Sequence, residues 1–102
     1  MTGPHFIIAA AILCVLQVAP AAAAGLADAP PGALSCSGCH ATSSSVKTDV
    51  PHLIGREPAT IVSAMQGFRA GTTPATVMDR IAKGFGDDEI KAIATWYGTL
   101  KN

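Results

Sequence analysis

Two cysteines and a histidine lie together in the first half of the 102-residue chain, in the order Cys36-Ser37-Gly38-Cys39-His40. The C-x-x-C-H spacing is typical of sites where a c-type haem is covalently attached. Thiols three positions apart lie on one side of a helical turn, so each can add to one vinyl group of a porphyrin and form a thioether. The adjacent His40 can then offer an imidazole nitrogen to the iron. The motif therefore predicts one covalent haem c, held by Cys36 and Cys39, with His40 as an axial ligand.

The same cysteine pair has two other interpretations, half of a structural zinc site or a redox-active dithiol. A structural zinc site takes four ligands, and beyond residue 40 the chain offers only His52 as a further Cys or His. A thioredoxin-like dithiol requires a βαβ context, and no useful stretch of two-residue alternation is present. Both interpretations are therefore weaker than haem attachment.

The first 24 residues have the pattern of a targeting segment. An apolar run of 13 residues, 6–18, is followed by Pro20 and the small residues 21–24. This pattern predicts a signal peptide over 1–24 that is cleaved and takes Cys14 with it. A membrane span needs roughly 20 apolar residues, so no membrane segment is expected after cleavage. The expected location is the periplasm, in agreement with haem attachment outside the bacterial cytoplasm.

The rest of the chain divides into a Pro- and Gly-containing linker, 25–32, and a single small domain, 33–102. A domain of this size is marginal for a self-sufficient core, and a haem would supply the missing apolar centre. All seven Lys and Arg residues and all seven Asp and Glu residues follow Gly25, so the linker and domain together carry no net charge. No basic patch interleaved with aromatic residues is present, and nucleic acid is not expected as a partner.

Four helical segments must position the motif, which makes the domain all-α. A short helix begins near Pro31 or Gly32 and carries the motif towards its end. Longer apolar stripes predict helices over Pro58–Arg69 and Asp87 to about Leu100, with Trp96 at the edge of the second stripe. A shorter helix is predicted over Thr76–Lys83.

The loop 50–55 is expected to support His40. A buried axial imidazole needs a hydrogen-bond acceptor for its second ring nitrogen, and the carbonyl of Pro51 is the candidate. His52 in the same loop is an alternative second ligand. A lone histidine in a loop is more often a surface residue, and we expect that here.

Met65, Met78 and His52 are the candidate ligands for the second axial position. Met78 is favoured because it follows a Thr- and Pro-containing break that lets the chain cross the ring, whereas Met65 lies on a buried helical stripe. A thioether opposite an imidazole raises the reduction potential relative to two histidines. With both positions filled by protein, the iron suits electron transfer, and no catalytic residue is proposed.

These residues resemble those of the class I cytochromes c. The match rests on Cys36–His40, Pro51 and a closing helix after a Met, and it covers the whole predicted domain. A narrower resemblance rests on Met65–Gly71 and Thr76–Phe85, which are similar to the cytochrome subunit of flavocytochrome c sulfide dehydrogenase. In that family the Met of the second segment is the axial ligand, which corresponds to Met78, and the Met of the first helix is not.

The resemblance implies a class I cytochrome c fold around one haem and a periplasmic subunit that accepts electrons from an FAD-containing partner oxidising sulfide. The downstream electron acceptor is not implied. Two alternatives stay open: a freely diffusing cytochrome c that serves several redox partners, and a sensor in which a gas or sulfide displaces Met78.

Overall fold

The computed structural model describes Gly3 and residues 25–101, so the predicted signal peptide lies outside the described residues apart from Gly3. The described part contains no β-strand, and its α-helices are α1 (Ala33–Cys36), α2 (Pro58–Ala70), α3 (Met78–Ala82) and α4 (Asp87–Thr99). A short 3-10 turn, Leu26–Asp28, lies within the predicted linker. None of these helices is long and apolar enough to cross a membrane. The all-α prediction is confirmed.

Helix α2 begins and ends where its terminal residues indicate. Pro58 occupies the first turn, where its missing N–H costs no hydrogen bond. Gly71 ends the helix with φ of 74°, in the left-handed region that a residue without Cβ adopts easily. The observed helix extends one residue beyond the predicted Arg69.

Helix α4 has an acidic first turn and a buried face. The Gly86 N–H donates to Glu89 Oε2 at 2.7 Å, and Asp87, Asp88 and Glu89 lie at the positive end of the helix dipole. Further along, the predicted apolar stripe is buried, with Ile90 only 2% exposed. This helix supplies most of the core.

The third predicted helix is shorter than the sequence indicated. It was expected over Thr76–Lys83 and is observed over Met78–Ala82. The β-branched residues Thr76 and Val77 form bends instead of a first turn. Met78 is consequently the first residue of α3.

The core joins α4 to α1 and α2 and contains Tyr97, which is fully buried. The Tyr97 hydroxyl donates to the carbonyl of Ala33 at 2.8 Å and so ties α4 to α1. Trp96 was predicted at the edge of the stripe but is buried, with 5% of its surface exposed. The predicted linker covers it, and the indole N–H donates to the Gly25 carbonyl at 3.2 Å. The buried cluster consists of Ala33, Ile61, Ile93, Ala94, Trp96, Tyr97 and Leu100.

Candidate haem site

The C-x-x-C-H motif forms the end of α1 and the turn that follows it. Cys39 N–H and His40 N–H both donate to the Cys36 carbonyl, at 3.2 and 2.9 Å, which continues the helical winding through the motif. Because of this winding, Cys36, Cys39 and His40 all border one cavity. Ser37 and Gly38, between the cysteines, do not line it.

The two thiols have different surroundings. Cys36 is half-buried and its Sγ lies 3.8 Å from the Gly32 carbonyl, whereas Cys39 is exposed. Burial raises the pKa of the Cys36 thiol, and its own backbone and Ser35 oppose this shift only in part. No disulfide joins the two cysteines.

The imidazole of His40 is oriented by the loop after the Ser-rich segment. Its Nδ1 lies 2.5 Å from the carbonyl oxygen of Pro51, with Nδ1–H as the donor. A neutral imidazole has one N–H and one lone pair, so this contact leaves the lone pair on Nε2. That is the arrangement required of an axial imidazole: a fixed ring, and a ring nitrogen whose basicity is raised by the hydrogen bond on the other side.

The cavity has a volume of about 540 Å³, and its wall contains side chains from all four α-helices. This volume lies within the range of about 300–1,000 Å³ typical of cofactor and small-molecule sites. Most of the wall is apolar, with Ile61, Ala64, Phe68, Ile81, Ile90 and Ile93 among the lining residues. Such a wall favours a large apolar group with little water around it.

Both candidate methionines reach this cavity. Met65 lines it from α2 and also packs against the buried core cluster, whereas Met78 lines it from the start of α3 and is not part of that packing. Met65 therefore contributes to core packing, whereas Met78 does not pack against the core cluster.

His52 is not part of the cavity wall. It is half-buried in its loop, with Nδ1 3.3 Å from the Ala41 carbonyl and Nε2 3.1 Å from the Val46 carbonyl. Both ring nitrogens already face backbone acceptors. The His52 side chain therefore contacts the backbone around its own loop. It is neither a fully exposed surface residue nor in a position to line the cavity.

Two charged side chains on the wall carried no signal in the sequence. Arg56 and Asp49 both line the cavity. Arg56 directly follows Gly55, whose N–H donates to the Tyr97 carbonyl at 3.0 Å, so the loop holding Arg56 is docked on α4. A guanidinium at this position can pair with an anionic group of a cofactor. A lone arginine in a loop has no motif, and only the folded chain reveals its position.

The residues that meet at the cavity fit a haem better than a bare metal ion. Among residues 25–101 no group of three or more His, Cys, Asp or Glu side chains could hold a metal ion. The wall instead combines two thiols three positions apart, an imidazole held through Nδ1, two thioethers and apolar side chains. This donor set matches that of a covalently attached haem with His and Met ligands.

The described residues form a small all-helical structure around one apolar cavity, which is consistent with the class I cytochrome c fold. No protein-family model matches the chain. The chain is similar to the cytochrome subunit of sulfide dehydrogenase of Chlorobaculum tepidum, with 40% identity over 67 residues. The aligned stretch covers 66% of this chain and 61% of the relative, so the chain spans about three fifths of that relative's length. Similarity to that subunit and the all-helical structure together establish the fold class.

Proposed function

We propose that this chain is a periplasmic electron-transfer protein with one covalent haem c, acting as the subunit that accepts electrons from an FAD-containing sulfide dehydrogenase. The observation that carries the proposal is the meeting of Cys36, Cys39, His40 and Met78 on one apolar cavity, with His40 held by Pro51. Similarity to the cytochrome subunit of a sulfide dehydrogenase supports the sulfide-linked role.

In this proposal each residue has a separate task. Cys36 and Cys39 anchor the porphyrin through thioether bonds. His40, through Nε2, and Met78, through its sulfur, would hold the iron. The haem supplies reversible one-electron oxidation and reduction. The Pro51 carbonyl fixes the His40 ring and raises the basicity of its Nε2 atom.

The same arrangement explains why this chain would carry electrons and leave sulfide chemistry to a partner. With His40 and Met78 both holding the iron, the haem would have no free position for substrate, and the mostly apolar wall would limit contact with water. The oxidation of sulfide would then occur at the flavin of the partner, and single electrons would pass to this chain. The protein's contribution is the ligand set, the burial of the ring and its orientation.

Stopped-flow reduction of the purified haem-loaded protein by sulfide tests this function. We expect slow reduction by sulfide alone and fast reduction when a catalytic amount of the candidate flavoprotein is added. Equal rates in the two experiments would contradict the subunit role.

A binding measurement separates the subunit from a freely diffusing carrier. A dedicated subunit is expected to form a stable one-to-one complex, with an interface of about 1,600 Å² if it is of standard size. A free carrier would instead form weak encounters that are lost as salt is added. Size-exclusion chromatography of the mixture at low and high salt distinguishes these two results.

A further inference from the structure

A turn packed against Gly67 connects α2 to the segment that carries Met78. The backbone N–H groups of Thr72 and Thr73 donate to the Gly67 carbonyl at 3.0 and 3.2 Å, and the Thr72 hydroxyl donates to it at 3.3 Å. The half-buried Thr73 side chain lies over the Cα of Gly67, where other residues carry a Cβ. Both the backbone of the turn and the Thr73 side chain therefore contact Gly67.

A side chain at Gly67 would force the Thr73 side chain to move. A Cβ built on Gly67 would overlap Thr73 Oγ1 and would lie 3.3 Å from Thr73 Cβ and 3.6 Å from Thr72 Oγ1. The position is helical, so glycine is not required by backbone conformation. Alanine would be the better helix former there. Glycine at this place is therefore explained by the close approach of Thr73.

The segment after this turn has few other constraints before Met78. Within the described part of the chain, no hydrogen bond involves Pro74, Ala75 or Thr76. Residues 74–78 nevertheless all line the cavity. The course of this segment is thus set by its two ends, which are the contact with Gly67 and the start of α3 at Met78.

We infer that Gly67 is a positioning residue for Met78: its missing side chain lets Thr72 and Thr73 dock on α2, and this docking sets where the chain brings the thioether to the iron. The inference rests on the proposed haem function. It adds to that function a packing contact that positions Met78.

The Gly67→Ala variant of the haem-loaded protein tests the inference. We expect it to lose the long-wavelength absorption band of thioether-ligated ferric haem and to bind CO readily in the ferrous state. Gly98→Ala is the matched control, because its Cβ would lie 2.9 Å from both the Arg56 carbonyl and Pro58 Cγ, away from the turn at 72–73. It is expected to lower stability and keep the band.

Removing the overlapping atom should restore ligation. In the double variant Gly67→Ala/Thr73→Ala the Oγ1 atom is gone, and the band and CO resistance are expected to return. Gly67→Ala/Thr73→Val keeps an atom at that place and should stay defective. Thr73 Oγ1 makes no hydrogen bond to the described residues, so Thr73→Ala alone should resemble the parent protein.

Each result decides the question. A Gly67→Ala protein with the parental spectrum and CO resistance would overturn the inference. If Gly67→Ala fails to fold, the double variants decide: recovery with Thr73→Ala but not with Thr73→Val supports steric positioning, and failure of both overturns it. A parent protein that lacks covalent haem or the thioether band would instead contradict the proposed function.

Discussion

The Nδ1 atom of His40 and the carbonyl oxygen of Pro51 lie 2.5 Å apart. The next residue of each segment makes a second contact, in which the side chain comes from His52 and the carbonyl from Ala41. Nδ1 of His52 lies 3.3 Å from the Ala41 carbonyl. The segments 40–41 and 51–52 therefore meet at two places. We expect His52 to help hold the loop that supplies the acceptor for the His40 imidazole.

Replacing His52 with Ala is therefore expected to raise the reduction potential of the haem-loaded protein. A looser loop weakens the hydrogen bond from His40 to Pro51 and lowers the basicity of the axial nitrogen, which destabilises the ferric state more than the ferrous state. Spectroelectrochemical titration measures the change. Val46→Ala keeps the carbonyl that faces His52 Nε2 and serves as the control, with the parental potential expected. An unchanged or lower potential in His52→Ala would contradict this role.

A pair of methionine variants identifies the second axial ligand. Met78→Leu should remove the thioether, lower the reduction potential and let the ferrous protein bind CO, whereas Met65→Leu should retain the parental ligation. Leu and Met have similar volumes, so Met65→Leu should cost less than about 1.5 kcal/mol of stability, whereas Met78→Leu also loses its bond to the iron. Absorption spectra and CO titration provide the measurement. If the Met65 variant loses the thioether band and the Met78 variant keeps it, the assignment is wrong.

The sequence predicted the helices because their signals are local. Pro58 and Gly71 at the ends of α2, and the acidic first turn of α4, lie within a few residues of the ends they determine. Local signals failed for Trp96, whose burial depends on the chain segment at Gly25 that covers it. The periodicity of α4 gives the direction of a side chain but does not identify what lies opposite.

In the candidate site too, local features were predicted from the sequence and contacts between distant segments were not. The attachment motif is a contiguous pattern, so its spacing alone indicates its chemistry. The contact between Gly67 and Thr73 and the place of Arg56 on the cavity wall depend on how separate segments meet. Sequence periodicity does not predict contacts between separate segments, so these contacts are seen only in the folded chain.

Tyr97→Phe should destabilise the haem-loaded protein by about 1–3 kcal/mol, because the buried Ala33 carbonyl loses its donor and stays away from water. The ring itself remains, so packing changes little. Denaturant-induced unfolding at neutral pH measures the difference. A matched change at an exposed position of the same helix, Thr95→Ser, should be nearly silent. Equal stabilities for parent and Tyr97→Phe would show that the hydrogen bond contributes nothing.

The same tyrosine predicts a loss of stability at alkaline pH. Burial raises the pKa of Tyr97 from 10.0 to about 12. The folded state therefore favours the neutral phenol. Its contribution is complete below pH 10 and is lost as pH rises from there towards 12. Unfolding free energies measured across this range should fall more steeply for the parent than for Tyr97→Phe, and parallel curves would contradict the assignment.

Arg69 should matter more through a backbone carbonyl than through its ion pair. Its Nη1 lies 2.5 Å from Asp87 Oδ1, but the Asp87 side chain is 77% exposed, so the pair is screened and contributes at most about 1 kcal/mol. Its Nη2 donates to the Phe85 carbonyl at 2.6 Å, and Phe85 lines the cavity. Arg69→Ala removes both contacts and should cost about 1–3 kcal/mol.

Comparison with Asp87→Asn in denaturant unfolding separates these two contributions. This variant should lose less stability than Arg69→Ala, and its deficit should shrink as salt is added, because only the ion pair is screened. Asp88→Asn, in the same first turn of α4, corrects for the interaction of a carboxylate with the helix dipole. Equal losses for Arg69→Ala and Asp87→Asn, both abolished by salt, would mean that the ion pair is the whole of the contribution and that the Phe85 carbonyl does not depend on Arg69.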